Sequence, residues 1–180
     1  MEWLRELLDR LTSVFPRILQ LTKFEAGVRF SFGKYRKVLG PGWYMYMPLF
    51  QRMIWMEVQS QITDLRTQSI RTKDGKDIIV SGAIQYSIDD VDEAICLIQD
   101  IDKALSVLAL GIILKFVSKR TLVECQDIEA LKSEILKGSR SRMKVWGVRV
   151  ESVEITDIGV SRNIRLLSNP TVTGGYLNAT

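Results

Sequence analysis

The hydrophobic period of this chain changes three times, and the order of those changes leaves few architectures open. Apolar residues recur at helical spacing in residues 1–20, alternate from about residue 24 to residue 88, and return to helical spacing over residues 91–144. A last alternating run begins near Gly147. Strands, then helices, then a strand predict an α+β fold, with a twisted, mostly antiparallel sheet and helices packed on one side. At 180 residues the chain suits one domain with appendages.

The first segment reads as an amphipathic helix. At about 100° per residue, Met1, Trp3, Leu4, Leu7, Leu8, Leu11, Val14, Phe15, Ile18 and Leu19 fall within an arc of about 160°. Arg5, Glu6, Asp9, Arg10 and Arg17 lie on the other side. Pro16 removes a backbone donor, so a kink or a division into two pieces is expected there. Such a stripe packs on the domain's own core, on a neighbouring subunit, or flat on a membrane surface.

In the alternating region Val28, Phe30 and Phe32 share a face, and Gly40 to Gly42 breaks the chain before Trp43. Ile54, Met56, Val58 and Ile62 are expected on one face, with Glu57, Gln59, Gln61 and Thr63 opposite. Asp74-Gly75 predicts a hairpin turn, because this pair accepts positive φ angles. Beyond it, Ile78, Val80, Ile84, Tyr86 and Ile88 line one face, with Gly82 in the row. Asp90 with Glu93 opens a helix as a capping box. A second helix, from Ile101 to about Ser118, presents Leu105, Leu108, Ile112 and Phe116, and a third covers about Asp127 to Lys144. Between Val150 and Val153 the apolar phase slips, which predicts a bulge near Glu151–Ser152. Little apolar pattern follows Ile158, and the remainder reads as a mobile tail.

Charge narrows the function. Residues 1–22 are neutral, whereas Lys23, Arg29, Lys34, Arg36, Lys37 and Arg52 face only Glu25 in residues 23–52. The net charge of +4 therefore originates in that stretch, which seeks phosphate on lipid headgroups or on nucleic acid. Its aromatic residues, Trp43 and Tyr44 among them, suit headgroup depth in a membrane or stacking on bases. The amphipathic segment immediately upstream favours lipid. The candidate membrane contacts are Trp3, Leu4, Leu7, Leu8, Leu11, Val14, Phe15, Ile18, Trp43 and Tyr44. The six cations are the candidate headgroup ligands. A soluble nucleic-acid-binding module using residues 23–52 is one alternative, and a regulatory subunit docking a partner through its first helix is another.

Catalytic chemistry is poorly served. The chain has no histidine, which excludes Ser–His and Cys–His nucleophiles and histidine-ligated metals. No phosphate-cradling loop occurs, and the acidic pairs at Asp89–Asp90 and Asp92–Glu93 sit where a helix cap is needed. No metal, cofactor or enzymatic activity is expected. Cys96 and Cys125 have no metal-like spacing and read as core or half-buried thiols in a reducing compartment. The most apolar run, Leu105 to Leu114, lies between Lys103 and Lys115 and is about half the length of a membrane-spanning helix, so it reads as a core helix.

One ordered set of segments carries a resemblance. Glu25 to Gly42, Met47 to Phe50, Thr67 to Val80 and Trp146 to Ile158 together resemble the SPFH or Band 7 domain of stomatins, prohibitins and flotillins. The resemblance implies a non-enzymatic, membrane-attached scaffold in two parts. A membrane-proximal part would cover residues 23–65 and a distal part residues 66–158, with residues 1–22 as the membrane-associating segment and 159–180 as the tail. It further implies self-assembly into rings or cages, contact with anionic headgroups, a membrane protease or channel as client, and a peripheral or monotopic location facing the cytoplasm. The hydrophobic hairpin and the long coiled coil of many relatives have no counterpart in this sequence, so assembly is expected to rest on the globular domain.

Overall fold

A computed structural model describes residues 15–160, the side chain of Tyr35 excepted. Within them, eight strands form three antiparallel sheets. In the first, β1 (Arg17–Leu21) pairs with β4 (Gly42–Tyr46). In the second, β2 (Glu25–Ser31) lies between β3 (Tyr35–Leu39) and β5 (Gln51–Glu57). The third has β7 (Asp77–Ile88) between β6 (Gln61–Arg71) and β8 (Val148–Val160). Helices α1 (Val91–Leu97), α2 (Ile101–Val117), α3 (Leu122–Cys125) and α4 (Ile128–Met143) separate β7 from β8, and a 3-10 turn (Lys144–Trp146) follows α4. The expected α+β class holds, although the strand pairing divides among three sheets instead of one.

The long hairpin and the helices make the main core. Ile78, Val80, Ile84, Tyr86 and Ile88 alternate inward along β7 and are buried, as their spacing predicts. Leu105, Ala109, Ile113 and Phe116 from α2 meet Leu131, Ile135 and Met143 from α4 in the same cluster. Truncating a side chain as enclosed as Ile84 costs about 2–5 kcal/mol, part of it for the cavity left behind. The helical excursion closes at Gly147, whose φ of 68° lies in the left-handed region. Its carbonyl accepts from the backbone N–H groups of Asp89 and Asp90 at 2.8 and 3.0 Å, and a Cβ there would collide with the Asp90 carbonyl. Only glycine fits so close an approach.

Helix caps follow the acidic positions. Asp90 accepts from the N–H groups of Asp92 and Glu93, Asp100 from that of Lys103, and Asp127 from that of Ala130. The reciprocal capping box belongs to Thr121 and Glu124 on the short α3. The Asp74-Gly75 turn forms, with Gly75 at φ 76°. Asp74 anchors it to α3, accepting from the Thr72 hydroxyl at 2.6 Å and the Leu122 N–H at 3.1 Å. The bulge expected near Glu151 is present opposite Gln85–Tyr86, and a second register shift follows opposite Ser81–Gly82.

Several expectations are corrected. Residues 17–21 form a strand, so a helix does not continue to residue 20; the remainder of the expected helix, residues 1–14, lies outside the described residues, as does the tail beyond 160. Pro16 thus marks the edge of a sheet, because β1 satisfies its backbone by pairing with β4. The expected face of Ile54, Met56, Val58 and Ile62 is divided. The chain leaves the second sheet after Glu57 and enters the third at Gln61, which reverses the phase, exposing Ile62 and burying Thr63. Phe32 leaves the alternation of Val28 and Phe30, because the strand ends at Ser31. Cys96 is exposed, and only Cys125 is in the core.

Candidate membrane-contact surface

The second sheet sits between two layers of unequal depth. One face, carrying Ala26, Val28, Phe30 and Met56, joins the main core. The other, carrying Leu39 and Met53, meets Leu21, Leu19, Tyr44 and Tyr46 of the first sheet in a small separate core. The first sheet thereby turns alternate residues outward. Ile18 and Met45 are directly paired across it and are 69% and 66% exposed, and Trp43 beside them is 71% exposed. No described residue covers this face.

The outward face leads to an apolar tip. Two turns lie side by side where β2 meets β3 and where β4 meets β5. The Phe32 N–H donates to the Phe50 carbonyl at 2.8 Å, and the two rings stand 5.5 Å apart in a tilted pair. Phe32, Met47, Leu49 and Phe50 are exposed there. β1 starts opposite Tyr46, the last residue of β4, so the chain enters the domain at this same end, behind an exposed Phe15.

Phe32 is the informative residue. Its ring is 73% exposed and its φ is 52°, the only positive value at a non-glycine among the described residues. A left-handed conformation costs a side-chain-bearing residue about 1–2 kcal/mol, and a bulky residue there is a genuine outlier. The ring's pairing with Phe50, itself exposed, offsets only part of that cost.

The six cations are not gathered on one surface. Phe30 pairs with both Arg36 and Arg52, which puts those two on the α1 side of the sheet near the tip. Arg29 lies opposite Lys37 and Met53, on the face that meets the first sheet, with its Nε buried and unpartnered. Lys34 occupies the tip turn, whereas Lys23 precedes the other end of β2 and lies over the Phe24 ring at 4.6 Å. Arg36 is already engaged, pairing with Asp92 of α1 at 3.1 Å. Its pKa is raised, first by donation to the Cys96 sulfur and then by the Asp92 charge. Lys34 and Arg52 are therefore the cations the structure associates with the tip.

Of the candidate contacts, Phe15, Ile18 and Trp43 face outward, whereas Tyr44 turns into the small core and donates its hydroxyl to the Gly40 carbonyl at 3.0 Å. Trp3, Leu4, Leu7, Leu8, Leu11 and Val14 lie outside the described residues. The alternation of Trp43 to Met47 contained this division, since Trp43 and Met45 share one face and Tyr44 and Tyr46 the other. Phe32, Met45, Met47, Leu49 and Phe50, exposed on the same face and tip, were not among the candidates. The available signal was the pair of turns, Phe32-Gly33 and Pro48-Leu49, each flanked by aromatic residues.

Among the described residues no cluster of three or more histidine, cysteine or acidic side chains is placed to hold a metal. No helix among them is long and apolar enough to cross a membrane.

The SPFH domain / Band 7 family matches residues 22–166, most of the chain. The chain belongs to this family. It is 26% identical over 164 residues to an uncharacterized protein of Methanocaldococcus jannaschii, covering 91% of this chain and 82% of that one. It is similar to a stomatin homolog of Pyrococcus horikoshii (22% identical, 76% of this chain and 52% of the relative). Human stomatin-like protein 3 is 25% identical across 82% of this chain and 52% of its own length. The chain thus spans about half the length of these two stomatin-named relatives.

Proposed function

We propose that the protein is a non-enzymatic scaffold of a membrane surface, held by the amphipathic residues 1–14 together with the tip, and assembled from many copies side by side. The strained, solvent-facing Phe32 carries the membrane reading, because a ring so exposed contributes little to the packing of the fold. Around it Leu49, Phe50 and Met47 are exposed, and the outward face of Ile18, Met45 and Trp43 on the first sheet adds further exposed apolar surface. Lys34 and Arg52 lie beside the tip, where they would reach headgroup phosphates, an arrangement that favours anionic bilayers. Membership of the SPFH / Band 7 family supports the scaffold role, and clients such as a membrane protease or a channel fit the same role.

Copies concentrated on a bilayer would meet through their globular domains, so assembly is expected to depend on the membrane. The division of the cations over two sheet faces disfavours a continuous nucleic-acid groove. Vesicle flotation followed by electron microscopy of the bound protein tests the reading. Flotation with rings or arrays at high surface density is expected. A chain that remains in the soluble fraction, or that binds vesicles only as separate monomers at saturation, would defeat it.

A further inference from the structure

A large cavity among the described residues lies away from the apolar tip, between α2 and α4. It is an open groove of about 1070 Å³ on helices that pack against the third sheet. Its floor comes from positions four residues apart on α2, where Ala104, Leu108, Ile112 and Phe116 form one row. Lys103, Val107, Gly111 and Lys115 form the next row, continued by Lys119 past the end of the helix. Glu134, Gly138 and Arg142 of α4 make the opposite wall. From Lys103 to Lys119 the groove runs roughly 24 Å at 1.5 Å per residue, the length of a helix of four to five turns.

Two features of this groove are unexplained by the fold. The first is Gly111. Glycine inside a helix is destabilising relative to alanine, yet a Cβ at Gly111 would meet nothing within 4 Å. Gly138 differs, since a Cβ there would press on the Ile112 side chain of α2. Gly111 therefore presents bare backbone to empty space, with Val107 exposed one turn before it.

The second feature is charge. Lys103, Lys115, Lys119, Arg120 and Arg142 line the groove against Asp100 and Glu134 alone. Arg120 is occupied, lying over the Phe116 ring and donating to the Phe116 carbonyl. Among the described residues, Lys103, Lys115, Lys119 and Arg142 have no ion-pair partner. An apolar floor between unpaired cations complements an amphipathic helix whose polar flanks are acidic.

We propose that the α2–α4 groove docks an acidic amphipathic helix of a partner protein. Its apolar side would rest on Val107, Leu108 and Ile112, its backbone would approach at Gly111, and its carboxylates would meet the lysine rim. The docked helix would complete a layer that α2 and α4 leave open.

The test uses the full chain and a fluorescein-labelled 18-residue peptide with leucines at helical spacing and glutamates elsewhere. Fluorescence anisotropy is read against a scrambled peptide of the same composition and a peptide with lysine in place of each glutamate. Binding of the acidic peptide at least tenfold tighter than both, weakening with salt, is expected. Gly111→Leu fills the groove from a position with open space, so the thermal midpoint should hold while affinity falls at least tenfold. Lys115→Glu with Lys119→Glu, both on the solvent side, should reduce affinity similarly and leave vesicle flotation unchanged. Equal binding of the scrambled peptide, or unchanged affinity in both variants, would overturn the proposal. A wild-type dimer that Gly111→Leu dissociates would also overturn it, by assigning the groove to a second copy of this chain.

Discussion

Phe32→Asn separates a residue kept for the fold from one kept for a surface, because the two roles predict changes of opposite sign. Asparagine enters the left-handed region more readily than phenylalanine, so the substitution relieves part of a strain of about 1–2 kcal/mol. The ring contact with Phe50 is lost, but it lies in solvent and offsets only part of that gain. The thermal midpoint is therefore expected to hold or to rise by up to about 4 °C, the shift of roughly 1 kcal/mol in a domain of this size. Membrane affinity should move the other way. Complete burial of a phenylalanine contributes about 1.5–3 kcal/mol. With 73% of the residue still in water, about 1–2 kcal/mol remains to be gained in a bilayer, or roughly 5- to 30-fold in partitioning. Sedimentation with vesicles of mixed zwitterionic and anionic lipid, run beside thermal unfolding, reads both quantities. A midpoint lowered by more than about 5 °C with vesicle binding unchanged would refute the reasoning, since the ring would then serve the fold.

Leu8→Glu with Leu11→Glu places two charges on the apolar stripe of residues 1–14 and is expected to abolish flotation, with circular dichroism confirming that the domain remains folded. Lys34→Gln with Arg52→Gln should lower affinity for anionic vesicles by up to roughly 30-fold at low salt, at about 1 kcal/mol per cation, and should leave neutral vesicles unaffected. Lys37→Gln, on the opposite sheet face, should have the smaller effect. The Thr72 hydroxyl holds the Asp74 pKa below the usual carboxylate range, and the Thr121 N–H and hydroxyl hold Glu124 below it too. Both contribute stability in full above their ordinary values, and that contribution disappears as pH falls through the depressed ones. The difference in thermal midpoint between wild type and Asp74→Ala with Glu124→Ala should therefore be widest above about pH 5 and close as pH falls below the ordinary carboxylate range.

The sequence revealed those elements whose side chains follow one period without interruption. Ile78 to Ile88 alternates through β7 with only Gly82 between large residues, and all five apolar side chains are buried. The bulge at Glu151 showed itself because Val150 and Val153 fall out of phase. The shift opposite Ser81–Gly82 did not, since the polar residues around it carry no phase to break. Crossing from β5 to β6 was also hidden. Val58 to Ser60 contains no glycine or proline, so the pattern runs Met56 and Ile62 together as one strand, and the exposure of Ile62 is visible only with the sheets assembled. The candidate surface divided in the same way. Trp43 and Ile18 point outward as their patterns allow, but Tyr44 was grouped with Trp43 for being aromatic and adjacent, although neighbours in a strand face opposite sides. The cations form one run in sequence and two faces in space for that same reason. Phe32 followed the period of Val28 and Phe30, and nothing local says that its strand stops one residue earlier.

Depth measurement at the tip tests the central claim most directly. A nitroxide attached at Leu49→Cys, in a chain whose exposed Cys96 has been replaced by serine, reports its own exposure to oxygen, which dissolves in bilayers, and to a polar nickel chelate, which does not. A matching label at Val123→Cys, exposed on α3 in the helical part, serves as the reference. On adding vesicles containing anionic lipid, the label at position 49 should become more accessible to oxygen and less accessible to nickel, while the label at position 123 keeps its aqueous values. A label at position 49 that stays equally open to the nickel chelate while the protein is vesicle-bound would contradict entry of the tip into the membrane.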